Sequence, residues 1–211
     1  MGRVAVVTRA LVHPHPLVRF GTASAIGAVL FVIAWALSYV ALPYRAMAFT
    51  LGFAPQLDAQ ADAFGVTARI FGWNALLGFG VITLASFYAV GRLPLGYLAP
   101  WTWLIRFGVA LGTNSFVLVV PGARISPLQI GDVIGHAGFP ELAAYMLLAA
   151  TLANVHLWRQ RHILARHLQR VRCVADVRLR PLELGCLAIA FALLAHSALI
   201  ETAQIALLQR R

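Results

Sequence analysis

The sequence has no lysine and few acids. Seven aspartates and glutamates stand against 17 arginines, which gives a formal net charge of +10, and charged residues make up only 11% of the 211 positions. Hydrophobic residues make up 61%, whereas a soluble domain is about 45–50% apolar and about 25% charged. One soluble core of this size cannot enclose so much apolar surface. We therefore predict a single membrane domain over residues 1–211.

Sequence patterns that carry catalysis are also missing. The chain contains no GxSxG, HExxH, GxxxxGK[ST] or GxGxxG pattern. Its two cysteines, Cys173 and Cys186, form no CxxC pair, so we interpret them as free thiols. The sequence therefore predicts a protein that is not an enzyme, with no catalytic residues, no metal site and no cofactor.

Long apolar runs dominate what is present. About 20 apolar residues cross the hydrocarbon core of a bilayer as a helix, and residues 20–42 contain no charge at all. We predict an all-α, polytopic bundle of about five transmembrane helices. The predicted spans are residues 20–42, 67–90, 98–120, 133–158 and 182–208.

Arginines cluster beside these apolar runs. Residues 159–180 hold seven arginines and one acid, with apolar residues at every third or fourth position. This pattern predicts an amphipathic helix on an anionic cytoplasmic membrane surface. The predicted membrane-surface residues are Arg159, Arg161, Arg166, Arg170 and Arg172.

The placement of the arginines also predicts an orientation. In a five-span bundle the basic N-terminus, the turn at Arg92 and residues 159–180 fall on one side, and positively charged loops are cytoplasmic. We expect a multi-pass plasma-membrane protein with its N-terminus in the cytoplasm and its C-terminus outside. Because the arginines flank apolar segments, the expected partner of this charge is the lipid bilayer and not nucleic acid.

A few polar residues lie inside or next to the predicted spans, where burial in lipid usually turns them toward the bundle interior. Asparagines there form hydrogen bonds between helices or contact a substrate. For the glutamates, a structural acid that is hydrogen-bonded or stabilised by a helix dipole competes with a proton or cation site. The predicted intramembrane cluster consists of Asn74, Asn114, His136, Glu141, Ser197 and Glu201.

The same residues carry a resemblance to a known family. The segments that carry it are ARIFGWNALLGFG, GVALGTNSFVLV, GHAGFPELAAYMLLAATLA and LLAHSALIETAQIAL, in that order. With them the chain resembles the stage II sporulation protein M family of bacterial and archaeal membrane proteins. His136 and Glu141 match a His-Gly-x-x-Glu-like element with an extra residue between them, and Ser197 to Glu201 match an Ala-x-x-Ile-Glu element. Asn74 and Asn114 match the family's helix asparagines.

The resemblance implies a multispan protein without catalysis of its own. In spore formers, the namesake acts with two partner membrane proteins that degrade peptidoglycan during engulfment. Two functions stay open: a scaffold or complex subunit that binds other membrane proteins or itself, and a permease-like subunit that moves a small solute or ion. A closed, packed polar cluster favours the scaffold, and a water-filled cavity favours transport; we expect the closed cluster.

Overall fold

A bundle of α-helices forms most of the chain in a computed structural model. The structure describes residues 3–46, 62–113, 115, 138–162, 164–165 and 167–209. A π-helical segment, Asn74–Phe79, joins α3 to α4. The helices are α1 (Arg3–Leu11), α2 (Pro16–Ala41), α3 (Ala63–Trp73), α4 (Gly80–Ser86), α5 (Leu98–Gly112), α6 (Phe139–Leu152) and α7 (Pro181–Gln209).

Three helices are long and apolar enough to cross a membrane. They are Pro16–Ala41, the continuous helix Ala63–Ser86 and Pro181–Ala206. At about 1.5 Å per residue, the described helices α5 and α6 reach only about 22 Å and 21 Å, less than the roughly 30 Å of a hydrocarbon core. The bundle prediction thus holds for three of its five spans. The predicted fourth span is too long at its end, because α6 stops at Leu152 and residues 153–157 are not helical.

Local sequence sets the starts and ends of these helices. Pro16 opens α2, where its missing N–H costs nothing, and α2 ends shortly before Pro43. Asp62 caps α3 by accepting a hydrogen bond from the backbone N–H of Gly65 at 3.0 Å. Pro181 opens α7, and the carboxylate of Glu183 reaches back to the backbone N–H of residue 180 at 3.0 Å.

Helices α2 and α5 run in the same direction and pack closely. Near their starts, the indole Nε1 of Trp101 donates to the carbonyl oxygen of Ala23 at 3.0 Å. Near their ends, Gly112 faces α2 so closely that an added Cβ would lie 2.6 Å from the carbonyl oxygen of Trp35. Gly108 and Gly112 form a GxxxG motif, and their small size lets the two backbones approach.

The remaining helices define two ends of the bundle. Near one end, the hydroxyl of Thr67 in α3 donates to that of Thr202 in α7 at 2.9 Å, so these helices are antiparallel. At the other end, the backbone N–H of Leu157 donates to the carbonyl oxygen of Phe87 at 2.8 Å, so the chain after α6 meets the chain after α4. We call this second end the arginine-rich end; it holds α1, the starts of α2, α5 and α7, and residues 87–97 and 153–180.

A small sheet covers part of the arginine-rich end. Its strands are β1 (Tyr88–Val90), β2 (Leu93–Pro94), β3 (Trp158–Gln160) and β4 (Leu168–Arg170), in the order β2-β1-β3-β4. β1 and β3 are parallel, and the other two pairs are antiparallel. Gly91 begins the two-residue β1–β2 turn with a φ of +59°, a conformation that glycine adopts without a steric cost.

The predicted amphipathic helix over residues 159–180 is wrong. β3, β4 and a 3-10 turn, Val174–Asp176, occupy this segment. The side-chain amide of Gln160 donates to the carbonyl oxygen of Ala165, which helps to close the β3–β4 connection. The backbone of β3 finds hydrogen-bond partners on β1, more than 60 residues away in sequence. A local apolar period does not reveal such a partner.

Candidate functional site

The predicted intramembrane cluster assembles in part, around a tyrosine. Tyr145 lies one turn after Glu141 in α6, and its hydroxyl donates to Glu141 Oε1 at 2.7 Å. Glu201 of α7 lies close enough for its charge to act on both residues. The structure therefore brings two predicted glutamates, from two different helices, into electrostatic range of each other.

Close packing surrounds the ring of Tyr145. The ring lies edge-on to Phe79, with 6.0 Å between the centroids, and 4.7 Å from the ring of Trp103. A Cβ added to Gly78 would collide with it. Gly78 belongs to the π-helical segment that Asn74 begins, and Asn74 itself is half-buried. Single π-helical turns inside α-helices are frequent at functional sites, and this one lies beside Glu141's hydrogen-bond partner.

Of the other predicted members, the structure describes Ser197 but not Asn114 or His136. Ser197 is fully buried in α7, one turn before the half-buried Glu201. Asn114 and His136 lie outside the described residues, so their place in the cluster stays a prediction.

Loss of the Tyr145 hydroxyl tests this arrangement. We expect Tyr145→Phe to lower the free energy of unfolding by about 1–3 kcal/mol, because Glu141 then loses its donor within the bundle. Thermal unfolding in detergent measures the change. Tyr88→Phe is the matched control, since Tyr88 is exposed. Equal midpoints for the two variants would contradict a structural role of the hydroxyl.

The arginine-rich end contains a buried ion pair that the sequence did not predict. Arg19 of α2 is 0% exposed, and its Nη2 lies 2.7 Å from Glu183 Oε1 in α7. The second carboxylate oxygen of Glu183 accepts the backbone N–H of Arg180. Arg19 Nε and Nη1 are buried and have no hydrogen-bond partner in the described structure. The pair joins the starts of two candidate membrane helices that lie far apart in sequence.

An aromatic stack lies next to this ion pair. The ring of Tyr97 stacks on Trp101 with 5.4 Å between centroids, and its hydroxyl donates to the carbonyl oxygen of Leu11 at 2.8 Å. Burial raises the pKa of Tyr97, so its hydroxyl stays protonated and keeps donating. Through these contacts α1 and the starts of α2, α5 and α7 are held together.

One sequence signal was available for the ion pair. Arg19 is the last basic residue before the first span, and Glu183 is an acid within the first turn of the last helix. In the predicted topology both fall at the same membrane face, where opposite charges at equal depth are expected to pair. For Tyr145, the signal was its four-residue spacing from Glu141.

Four of the five predicted surface arginines are described. Arg161, Arg170 and Arg172 are exposed, and Arg166 lies outside the described residues. Arg159 is half-buried instead, and its Nη2 donates to Nε2 of His156 at 2.7 Å. Burial and the positive charge of Arg159 lower the pKa of His156, which lies outside the three candidate spans.

The lowered pKa of His156 predicts that stability depends on pH. An unfolded histidine titrates near pH 6.5, and His156 titrates lower in the folded chain, so the unfolded state binds more protons between the two pKa values. The free energy of unfolding therefore falls as the pH drops below about 6.5. We expect the melting temperature to fall less in His156→Gln than in the native chain between about pH 7.5 and pH 5.5. Parallel pH profiles would exclude His156 as the cause.

These residues define a helical bundle with three candidate membrane spans. It contains two separate polar contacts, Tyr145 with Glu141 and Arg19 with Glu183. Among the described residues, no group of three or more His, Cys, Asp or Glu side chains is arranged to hold a metal ion. Cys173 is exposed, Cys186 is buried, and both are free. No family model, curated protein or solved structure matches the chain.

Proposed function

We propose that this chain is a non-enzymatic integral membrane protein that serves as a scaffold or subunit of a membrane complex, like the stage II sporulation protein M family that it resembles. The observation that carries the proposal is the packing around Tyr145. Its hydroxyl donates a hydrogen bond to Glu141, and its ring lies against Gly78, Phe79 and Trp103. The ring of Tyr145 thus packs α6 against α5 and the π-helical segment, while its hydroxyl bonds Glu141 within α6. Among the described residues, this arrangement supports a polar group used for helix packing rather than for solute contact.

The close contact of α2 and α5 also supports a rigid scaffold. Added Cβ atoms at Gly108 and Gly112 would each lie 2.6 Å from a carbonyl oxygen of α2. Backbones this close cannot slide or separate without losing their van der Waals contact. A rigid bundle presents its loops and lipid-facing surfaces in fixed positions, as a complex subunit must.

The proposed location is the plasma membrane, with several spans and the arginine-rich end in the cytoplasm. That end carries the start of α2 and residues 159–180, and positive loops stay on the cytoplasmic side. This orientation places the N-terminus in the cytoplasm and the end of α7 outside. Reporter fusions after residue 165 and after residue 209 test it; an external reporter at residue 165 would contradict it.

A permease-like subunit is the alternative function. Two observations favour it: the helix Ala63–Ser86 contains a π-helical segment, and Glu141 and Glu201 interact electrostatically between helices. Interrupted helices with carboxylates at depth are features of transporter binding sites. Neither of the two surface cavities at the arginine-rich end is lined by either glutamate.

Partner capture and ion flux distinguish the two functions. The full chain is purified in mild detergent from its own membranes, and half of it is reconstituted into liposomes that contain a pH-sensitive dye. The scaffold proposal expects a stoichiometric membrane-protein partner, or a defined oligomer, and no proton flux above empty liposomes. Flux that Glu201→Gln abolishes, with Gln204→Glu as a charge-adding control on the same helix, would favour the permease.

A further inference from the structure

The depth of the small sheet follows from the length of the helix that leads into it. Helix Ala63–Ser86 has 24 residues and is about 36 Å long, which exceeds the roughly 30 Å hydrocarbon core of a bilayer. Its start is capped by the charged, exposed Asp62, which stays outside the hydrocarbon. Ser86 then reaches the headgroup layer on the opposite side, and β1 begins two residues later.

The pairing of the strands places the arginines at the same depth as β1. β3 lies beside β1 in parallel register, with Ala89 opposite Arg159, and β4 lies beside β3. The β3–β4 region therefore sits at the level where β1 leaves its helix. This places it at the headgroup layer rather than far out in the aqueous phase.

Charge and apolar side chains are both exposed in this region. We call four of its exposed arginines the arginine platform: Arg161, Arg170, Arg172 and Arg178. Asp176 is the one acid between residues 159 and 180. Aliphatic side chains lie among these arginines, and Leu164 is 87% exposed. The others are Leu168, Val171 and Val174.

The platform also contains a concave surface. A shallow, open depression of about 490 Å³ lies between the β1–β2 turn and the chain after β3. Arg161 and His162 provide its polar groups, and Val90, Gly91 and Leu164 line the rest. A guanidinium group matches the geometry of a phosphate, and the neighbouring aliphatic groups suit the upper part of an acyl chain.

From these observations we propose that the arginine platform binds anionic phospholipids, with the arginines on the phosphate groups and the exposed aliphatic side chains in the upper acyl region. The charge is complementary to a lipid phosphate, and the depth given by β1 is that of the phosphates. An acidic protein segment would match the charge alone, without a use for Leu164 or Val174. The proposal rests on the membrane embedding proposed above.

Lipid retention by the full chain tests the proposal. The protein is reconstituted into nanodiscs made of equal parts phosphatidylcholine and phosphatidylglycerol, extracted in mild detergent, and its retained lipids are counted by native mass spectrometry. We expect phosphatidylglycerol to be enriched over phosphatidylcholine. The double variant Arg161→Gln with Arg178→Gln is expected to lose this enrichment by roughly 25-fold, since each arginine near an anionic surface changes binding by roughly fivefold.

The matched control removes the same charge elsewhere. Arg45 and Arg69 are exposed toward the opposite end of the bundle, and Arg45→Gln with Arg69→Gln is expected to keep the enrichment. Equal losses in both double variants would overturn the proposal, as would a native chain without enrichment. Displacement of phosphatidylglycerol by soluble polyglutamate, with no loss from the control, would assign the platform to an acidic protein partner and also overturn it.

Flotation with vesicles separates this proposal from the one it rests on. A native chain that fails to float with phosphatidylcholine vesicles, or is extracted by alkaline carbonate, refutes the membrane embedding itself. A chain that floats and resists carbonate but shows no preference for phosphatidylglycerol refutes only the lipid-binding platform.

Discussion

Glu183→Gln is expected to lower the free energy of unfolding by about 3–5 kcal/mol, because it leaves the buried guanidinium of Arg19 without its counter-charge. Arg19 is fully buried, and its Nε and Nη1 have no partner in the described structure. Its single ion-pair contact, to Glu183 Oε1, is therefore its main compensation for leaving water. Thermal or denaturant unfolding in detergent micelles measures the change.

A double variant shows whether the cost comes from an unpaired charge. Replacing both partners, with Arg19→Met and Glu183→Leu, removes the buried charges together and is expected to be far less destabilising than Glu183→Gln alone. The double variant still loses the carboxylate that caps α7, which costs about 1 kcal/mol. Arg178→Met is the control for loss of an exposed arginine. If the double variant were as unstable as the single one, charge imbalance would not be the cause.

The second large effect is expected from Gly108→Ala. An added Cβ at Gly108 would lie 2.6 Å from the carbonyl oxygen of Phe31 and 3.1 Å from the Cβ of Ala34. Backbone atoms of α2 cannot turn aside as a flexible side chain can, so α2 and α5 must separate. We expect a loss of about 1–3 kcal/mol from overpacking and a lower melting temperature, and Gly108→Leu should destabilise further.

Gly72→Ala provides the matched control for this prediction. Gly72 is also helical and has no atom within 4 Å of an added Cβ. Alanine is favoured over glycine in a helix by about 1 kcal/mol, so this variant is expected to be as stable as the native chain or more so. Similar destabilisation by Gly72→Ala and Gly108→Ala would show that the α2–α5 contact is less close than described.

The Arg19–Glu183 ion pair and the α2–α5 glycine contact are both relevant to the proposed scaffold. The ion pair joins the starts of α2 and α7, and the glycines join α2 to α5 in the second half of both helices. Helix α2 is thus held by two neighbours at defined points. A variant that loosens either contact is also expected to lose a stoichiometric partner in the capture experiment, because the partner-binding surfaces would no longer be held in fixed positions.

The sequence predicted some members of the polar cluster but not the contacts between side chains. Carboxylates in apolar segments are costly, which predicted Glu141 and Glu201 as cluster members, and in the structure the charge of Glu201 acts on Glu141. The hydrogen bond from Tyr145 to Glu141 was not predicted, although their four-residue spacing in one helix is compatible with it. The position of Arg19 at the edge of a span predicts only a flanking charge and does not reveal that Glu183 of α7 pairs with it.

For the arginine-rich segment, residues 159–180, the prediction from local spacing was wrong. Apolar residues every three or four positions predicted a helix over residues 159–180, yet the chain forms β3 and β4. The strand β1, which pairs with β3, follows a helix that ends at Ser86. A helix satisfies its backbone hydrogen bonds within the segment, whereas a strand needs another segment. Periodicity within residues 159–180 contains no information about β1.

Composition and the uneven distribution of charge were enough, without a structure, to predict helices long enough to cross a membrane and arginines gathered at one end. These are properties that each residue contributes on its own, through its transfer free energy between water and an apolar phase. Tertiary structure alone decided which polar groups meet: Arg19 with Glu183, Tyr145 with Glu141, and Gly108 with the backbone of α2. Such contacts depend on how helices far apart in sequence are placed together, and a hydrogen bond or ion pair forms only within about 3 Å.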